Sequence, residues 1–185
     1  ETRRRPANYF AIDAYTAEDK RKGKYGFEYV REKSTHDLAV YKRAGDDHYF
    51  VAFRGTVPTN YQDLISDAAI LYGGEEGNKR FNDAVAAVKE LTADGSTVEL
   101  TGHSLGGSLT EFVMHNSDDA TASRIVQATT FNKGVAPPSF FRSLSKKLAS
   151  KMVHVKQTGD FISETGTLTR DDGSTTEVYN NFLPG

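Results

Sequence analysis

At 185 residues the chain is long enough for one sizeable hydrophobic core and reads as one domain over 1–185. Its 23 Lys and Arg are mixed with 25 Asp and Glu for a net charge of −2, so no global field favours nucleic acid, and Arg3-Arg4-Arg5 reads as a solvated terminus. With no cysteine there is neither a disulfide framework nor a cysteine-ligated metal site, the compartment stays open, and no apolar run is long enough to serve as a transmembrane segment.

The chain opens at Glu1 rather than Met, as a processed or trimmed product would, and no signal-peptide core is present. Pro6 to Lys20 has a helix-permitting composition with Pro near its start, ended by the Lys-Gly-Lys-Tyr-Gly segment at 22–26. Strands are expected at 27–30, 38–41 and 49–53, the last two joined by a Gly45-Asp46-Asp47 turn. Apolar residues within 60–72 lie close to one helical face before Gly73-Gly74. Phe81, Ala84, Val85, Val88 and Leu91 have the spacing of an amphipathic helix over 80–93.

Strand and helix then alternate: a strand at 98–100, a helix over 106–116, a strand over 125–131, a helix over 139–149 and a strand over 152–156. Such alternation predicts an α/β fold, a mostly parallel sheet with helices on both faces following antiparallel N-terminal strands. Residues 167–169 and 177–179 flank Asp171-Asp172-Gly173-Ser174 and read as a closing hairpin. No repeat, linker or low-complexity tract interrupts the chain.

Gly102-His103-Ser104-Leu105-Gly106 fits the Gly-x-Ser-x-Gly pattern between an expected strand and an expected helix. A serine there sits on a tight turn whose neighbouring glycines let strand and helix pack too closely for a Cβ. The helix N-terminus beneath it favours the negative charge of a tetrahedral intermediate. Ser104 is therefore the candidate nucleophile.

Val51-Ala52-Phe53-Arg54-Gly55-Thr56, Thr101 to Gly107, Phe131-Asn132-Lys133-Gly134 and Gly159-Asp160, taken in order, resemble the landmarks of class 3 lipases, an α/β-hydrolase family. The resemblance implies that Thr56 and Leu105 supply the backbone donors of an oxyanion hole. It also implies that Asp160, which follows an expected strand, is the acid in a Ser…Asp…His order. Residues 57–72 could form a lid, with Tyr61, Leu64, Ile65 and Leu71 on its apolar face, although core burial explains the same periodicity.

The base departs from this pattern. All five histidines, at 36, 48, 103, 115 and 154, precede Asp160, whereas the order of the fold puts the base after the acid. His103 lies inside the turn and is expected to pack away from Ser104. His115 is about 16 Å along the following helix. His154 is mid-strand and reads as a hydrogen-bonded core residue, and His36 and His48 flank early strands.

Three explanations stand: the native chain continues past Gly185 to its histidine, another group or a partner chain supplies the base, or the protein is a relative that no longer catalyses. The leading expectation is a serine hydrolase of lipid, phospholipid or acylglycerol esters. Its rival is a non-catalytic component of a larger assembly. No cofactor is required. Asp46-Asp47, Asp118-Asp119 and Asp171-Asp172 read as turns, so no metal site is expected.

Overall fold

Runs of β-branched and aromatic residues form the strands β1 (Phe27–Tyr29), β2 (Leu38–Arg43), β3 (His48–Phe53), β4 (Thr97–His103), β5 (Ile125–Phe131), β6 (Met152–Thr158), β7 (Ser163–Thr169) and β8 (Thr175–Asn180). The helices are α1 (Arg5–Asp13), α2 (Glu75–Thr92), α3 (Leu105–Asn116), α4 (Asp119–Arg124) and α5 (Lys146–Ala149). This computed structural model describes residues 4–55, 74–133, 144–158 and 163–180.

Among the described residues the strands form one eight-stranded sheet in the order β1-β2-β3-β4-β5-β6-β8-β7. β3, β4, β5, β6 and β8 run parallel, β1 and β2 join one edge antiparallel, and β7 pairs antiparallel with β8 at the other. The architecture is that of an α/β-hydrolase-like sheet. Every residue of β3 is buried, as a central strand covered on both faces requires.

Side chains alternate across β3 and divide the core into two layers. Val51 and Phe53 join Phe81 and Val88 of α2 and Leu105, Leu109 and Val113 of α3 on one face. Phe50 and Ala52 join Ala7, Phe10 and Ala11 of α1 on the other. Phe10 is fully buried against the rings of Tyr41, Phe50 and Phe27, at centroid distances of 4.3, 5.0 and 5.6 Å. Burying such a ring contributes about 2–3 kcal/mol and seats α1 on the sheet.

Three elements differ from expectation. The first helix stops at Asp13 instead of running to Lys20, because the chain from Ala14 wraps around the buried Arg21. The Arg21 guanidinium donates to the carbonyls of Ala14 and Thr16, replacing helical hydrogen bonds forgone there, and also to those of Thr35 and His36. α2 begins at Glu75, before the first apolar position, because a polar first turn leaves no periodic signal. Asp118-Asp119 is not a simple turn: the Asp118 carboxylate accepts from the Thr121 amide at 2.8 Å and caps α4.

The closing hairpin is present, with Asp172 accepting from the amide and hydroxyl of Ser174 and Gly173 at φ +96°. β8, rather than β7, pairs with β6, which hairpin chemistry does not specify. The helix expected over 60–72, and the lid reading of 57–72, lie outside the described residues, as does the first part of the helix expected over 139–149. No helix among the described residues is long and apolar enough to cross a membrane.

Candidate active site

β4 ends at His103 and α3 begins at Leu105, so Ser104 alone makes the reversal. Its φ of 57° and ψ of −119° fall in a region that L residues avoid, a conformation costing about 1–3 kcal/mol that persists only where the surroundings impose it. The surroundings do so here. The Ser104 amide donates to the Phe131 carbonyl at 2.8 Å, tying the turn to β5, while the Ser104 carbonyl accepts from the amides of Gly107 and Ser108 at 3.0 and 3.2 Å.

The glycines are sterically required. A Cβ on Gly102 would overlap the Gly106 carbonyl, and one on Gly107 would stand 3.0 Å from Cβ of Lys133. At 4 % exposure Ser104 is largely enclosed, and among the described residues its Oγ has no hydrogen-bond partner. Leu105 opens α3, so its N–H is among those that a helix cannot satisfy internally.

The end of β3 lies beside this turn. Phe53 pairs with Gly102, and a Cβ on Gly55 would stand 2.7 Å from the His103 carbonyl and 2.8 Å from the Gly106 nitrogen. Two arginines hold this strand end. Arg80 of α2 donates from Nη2 to the Arg54 carbonyl at 2.6 Å, and Arg54 donates from Nη1 to the Tyr15 carbonyl at 2.9 Å. Thr56 and Asp160, the sequence candidates for an oxyanion donor and the acid, lie outside the described residues. The strands that precede them, β3 and β6, both end at the carboxyl edge that carries Ser104.

The described histidines are engaged elsewhere. His48 is hydrogen-bonded through Nδ1 to Thr97 Oγ1 and through Nε2 to Glu99 Oε2, both at 2.7 Å. His36 is exposed beside Asp37, and His115 lies in the last turn of α3. His103 stands edge-on to Tyr15 with ring centroids 6.4 Å apart, and burial pushes its pKa down.

His154 is hydrogen-bonded, as its mid-strand position suggested, but it is only partly buried and not part of the core. Its Nδ1 lies 2.8 Å from Thr130 Oγ1, and its pKa is pushed down to about 4, first by burial and then by the charge of Lys133. Beside it Glu111 of α3 is paired with Lys133 at 3.4 Å. Sequence reading passed over Tyr15, Arg80 and Glu111 because their contacts join residues far apart in the chain. Among the described residues no group of three or more His, Asp or Glu side chains is arranged to hold a metal ion.

The family model described as "Phospholipase-like: Tle-like phospholipase domain" matches residues 5–157. Among solved structures the chain is similar to a triacylglycerol lipase whose catalytic centre is described as a serine protease triad, at 14% identity over 86% of this chain and 71% of that one, with a TM-score of 0.48. It is also similar to the Rhizomucor miehei triacylglyceride lipase, at 15% identity over 85% and 69% of the two chains, with a TM-score of 0.44. A third similarity is to a fungal lipase in an inhibitor complex, at 15% identity over 80% and 68%, with a TM-score of 0.40. A comparison with curated proteins finds no match.

Proposed function

The chain belongs to the family of Tle-like phospholipase domains, a lipase-like α/β-hydrolase family, and from that premise we propose that it is a serine hydrolase of carboxylic esters, with lipid or phospholipid acyl esters as its substrate class. The observation that carries this reading is the backbone of Ser104. A side-chain-bearing residue held at φ 57° and ψ −119°, its Oγ without a partner among the described residues, is strain stored where a nucleophile elbow needs it.

In the proposed reaction Ser104 Oγ attacks the ester carbonyl carbon and its proton passes to a histidine. The carbonyl oxygen becomes an oxyanion held by the N–H groups of Leu105 and Thr56, which together supply several kcal/mol of transition-state stabilisation. Collapse expels the alcohol with the proton from the imidazolium, and water, deprotonated by the same histidine, then releases the acid from Ser104. Asp160 orients the imidazole.

The base is proposed to lie on chain following β8. Support comes from topology, since β8 is parallel to β6 and through β5 to β4, so its carboxyl end at Asn180 faces the same edge as Ser104. A histidine from a partner chain would serve the same role.

A second reading, a non-catalytic component of a larger assembly, is favoured by one observation. Among the described residues no histidine is hydrogen-bonded to Ser104 Oγ: His48 bonds Thr97 and Glu99, and His154 bonds Thr130.

Intact mass of the native full-length protein, before and after incubation with a fluorophosphonate, separates the two. A single adduct that disappears in Ser104→Ala, together with release of fatty acid from phospholipid vesicles, is the expected result. A folded native protein that takes up no adduct and releases no acid sinks the hydrolase reading and leaves the second.

A further inference from the structure

Beyond the last ladder pair of β3 and β4, the two strand ends are joined by one atom, the hydroxyl oxygen of Tyr15. It donates to the His103 carbonyl at 3.1 Å and lies against Gly55, whose backbone N–H favours the phenolate. No Cβ fits between: one on Gly55 would lie 2.6 Å from that hydroxyl. The His103 carbonyl belongs to the peptide that enters Ser104, and the Gly55 amide belongs to the residue that leads into Thr56.

We propose that Tyr15 is a positioning residue, whose hydroxyl ties the His103 peptide, which leads into Ser104, to the end of β3 at Gly55. The proposal rests on the hydrolase reading for its consequence, and on the geometry alone for the tie. Reacting groups tolerate misplacement of only about 0.5 Å before rate is lost, so a bond spanning both arms has leverage that an ordinary core contact lacks.

The tyrosine is itself held rigidly. Its amide donates to the Ile12 carbonyl at 3.0 Å, and its carbonyl accepts from Arg54 Nη1, whose guanidinium carbon lies 5.6 Å from the ring centroid. Burial keeps the phenol protonated beyond its ordinary range, against the opposing pull of the Gly55 N–H and the charges of Arg54 and Arg80. The hydroxyl therefore acts as a fixed donor and not as a proton carrier.

The test is Tyr15→Phe in the full-length protein, with three readouts: hydrolysis of p-nitrophenyl butyrate, the rate of fluorophosphonate labelling, and hydrogen exchange of the Gly55 amide relative to Val51. The expected result is a kcat and labelling rate lower by roughly 10- to 100-fold with KM within about twofold, and Gly55 exchange faster by about tenfold or more. Tyr9→Phe removes a nearby hydroxyl, on α1, that among the described residues bonds only the Lys22 carbonyl, and leaves all three readouts unchanged.

Where Tyr15→Phe does not fold, a fluorinated tyrosine at 15, whose hydroxyl loses its proton at lower pH, replaces it. Its kcat and Gly55 protection should then fall together on the alkaline side. Unchanged kcat and unchanged Gly55 exchange overturn the proposal. If the wild-type protein neither hydrolyses nor labels, the hydrolase reading has failed and Gly55 exchange alone decides: acceleration supports the tie, no change overturns it.

Discussion

Gly106 stands so close to the Phe53 carbonyl that a Cβ at residue 106 would overlap that oxygen and lie 3.2 Å from the Gly55 nitrogen. Both obstacles are backbone, so no rotamer change relieves them. Gly106→Ala should therefore lose about 3 kcal/mol and roughly 10 °C in Tm, with fluorophosphonate labelling lost in parallel. A thermal melt within about 2 °C of wild type would show that the β3–α3 approach is looser than described.

Ser104 presents the converse case, a side chain where glycine would be at ease. Ser104→Gly should relieve the strain of φ 57° and raise stability by about 1 kcal/mol while abolishing labelling and ester hydrolysis. Calorimetry of the two proteins measures the gain. A loss of stability would mean that the Ser104 side chain makes a stabilising contact after all.

His154 makes stability depend on pH. Its folded pKa of about 4 lies below the ordinary 6.5, because burial and then Lys133 disfavour the imidazolium. Above pH 6.5 neither state binds the proton and nothing is lost. As pH falls from 6.5 to 4 the unfolded chain takes up the proton first, and about 3 kcal/mol of stability drains away. Urea midpoints at pH 7.5 and 4.5 should differ by less in His154→Gln than in wild type. Equal differences in both proteins would remove His154 as the source.

Arg4 and Glu177, 173 positions apart, form a bidentate pair at 3.0 and 2.9 Å, with Arg4 also donating to Gln127 Oε1 at 3.2 Å. The Glu177 side chain is 1% exposed, so removing the guanidinium leaves its carboxylate buried without that partner. Arg4→Met should cost about 3 kcal/mol, and Arg4→Met with Glu177→Met should recover most of it. Additive losses in the double variant would show that the two side chains do not interact.

Local rules explain what was legible in the chain. The apolar spacing of Phe81 to Leu91 and the β-branched runs around Val51 and Val98 reflect backbone and burial preferences that act within a few residues, so those segments are the helix and strands expected, although α2 starts earlier. The Ser104 turn was legible for the same reason, since Gly102 and Gly106 meet a steric demand within one turn of chain. That His154 is hydrogen-bonded was expected from its place in mid-strand, and its partner Thr130 was not. The end of α1 was misjudged because Arg21, seven residues beyond Ala14, captures carbonyls that a helix would have used.

The sequence by itself therefore determined the order of strands and helices, the turn that carries Ser104, and the lack of a histidine after Asp160 in these residues. Only the tertiary structure decided that β8 enters between β6 and β7, that Arg4 reaches Glu177, and that Tyr15 joins the ends of β3 and β4. The first set follows from torsional and steric preferences carried by neighbouring residues. The second arises from packing between distant segments, where a hydroxyl or guanidinium finds its partner only after two faces of the sheet have been covered.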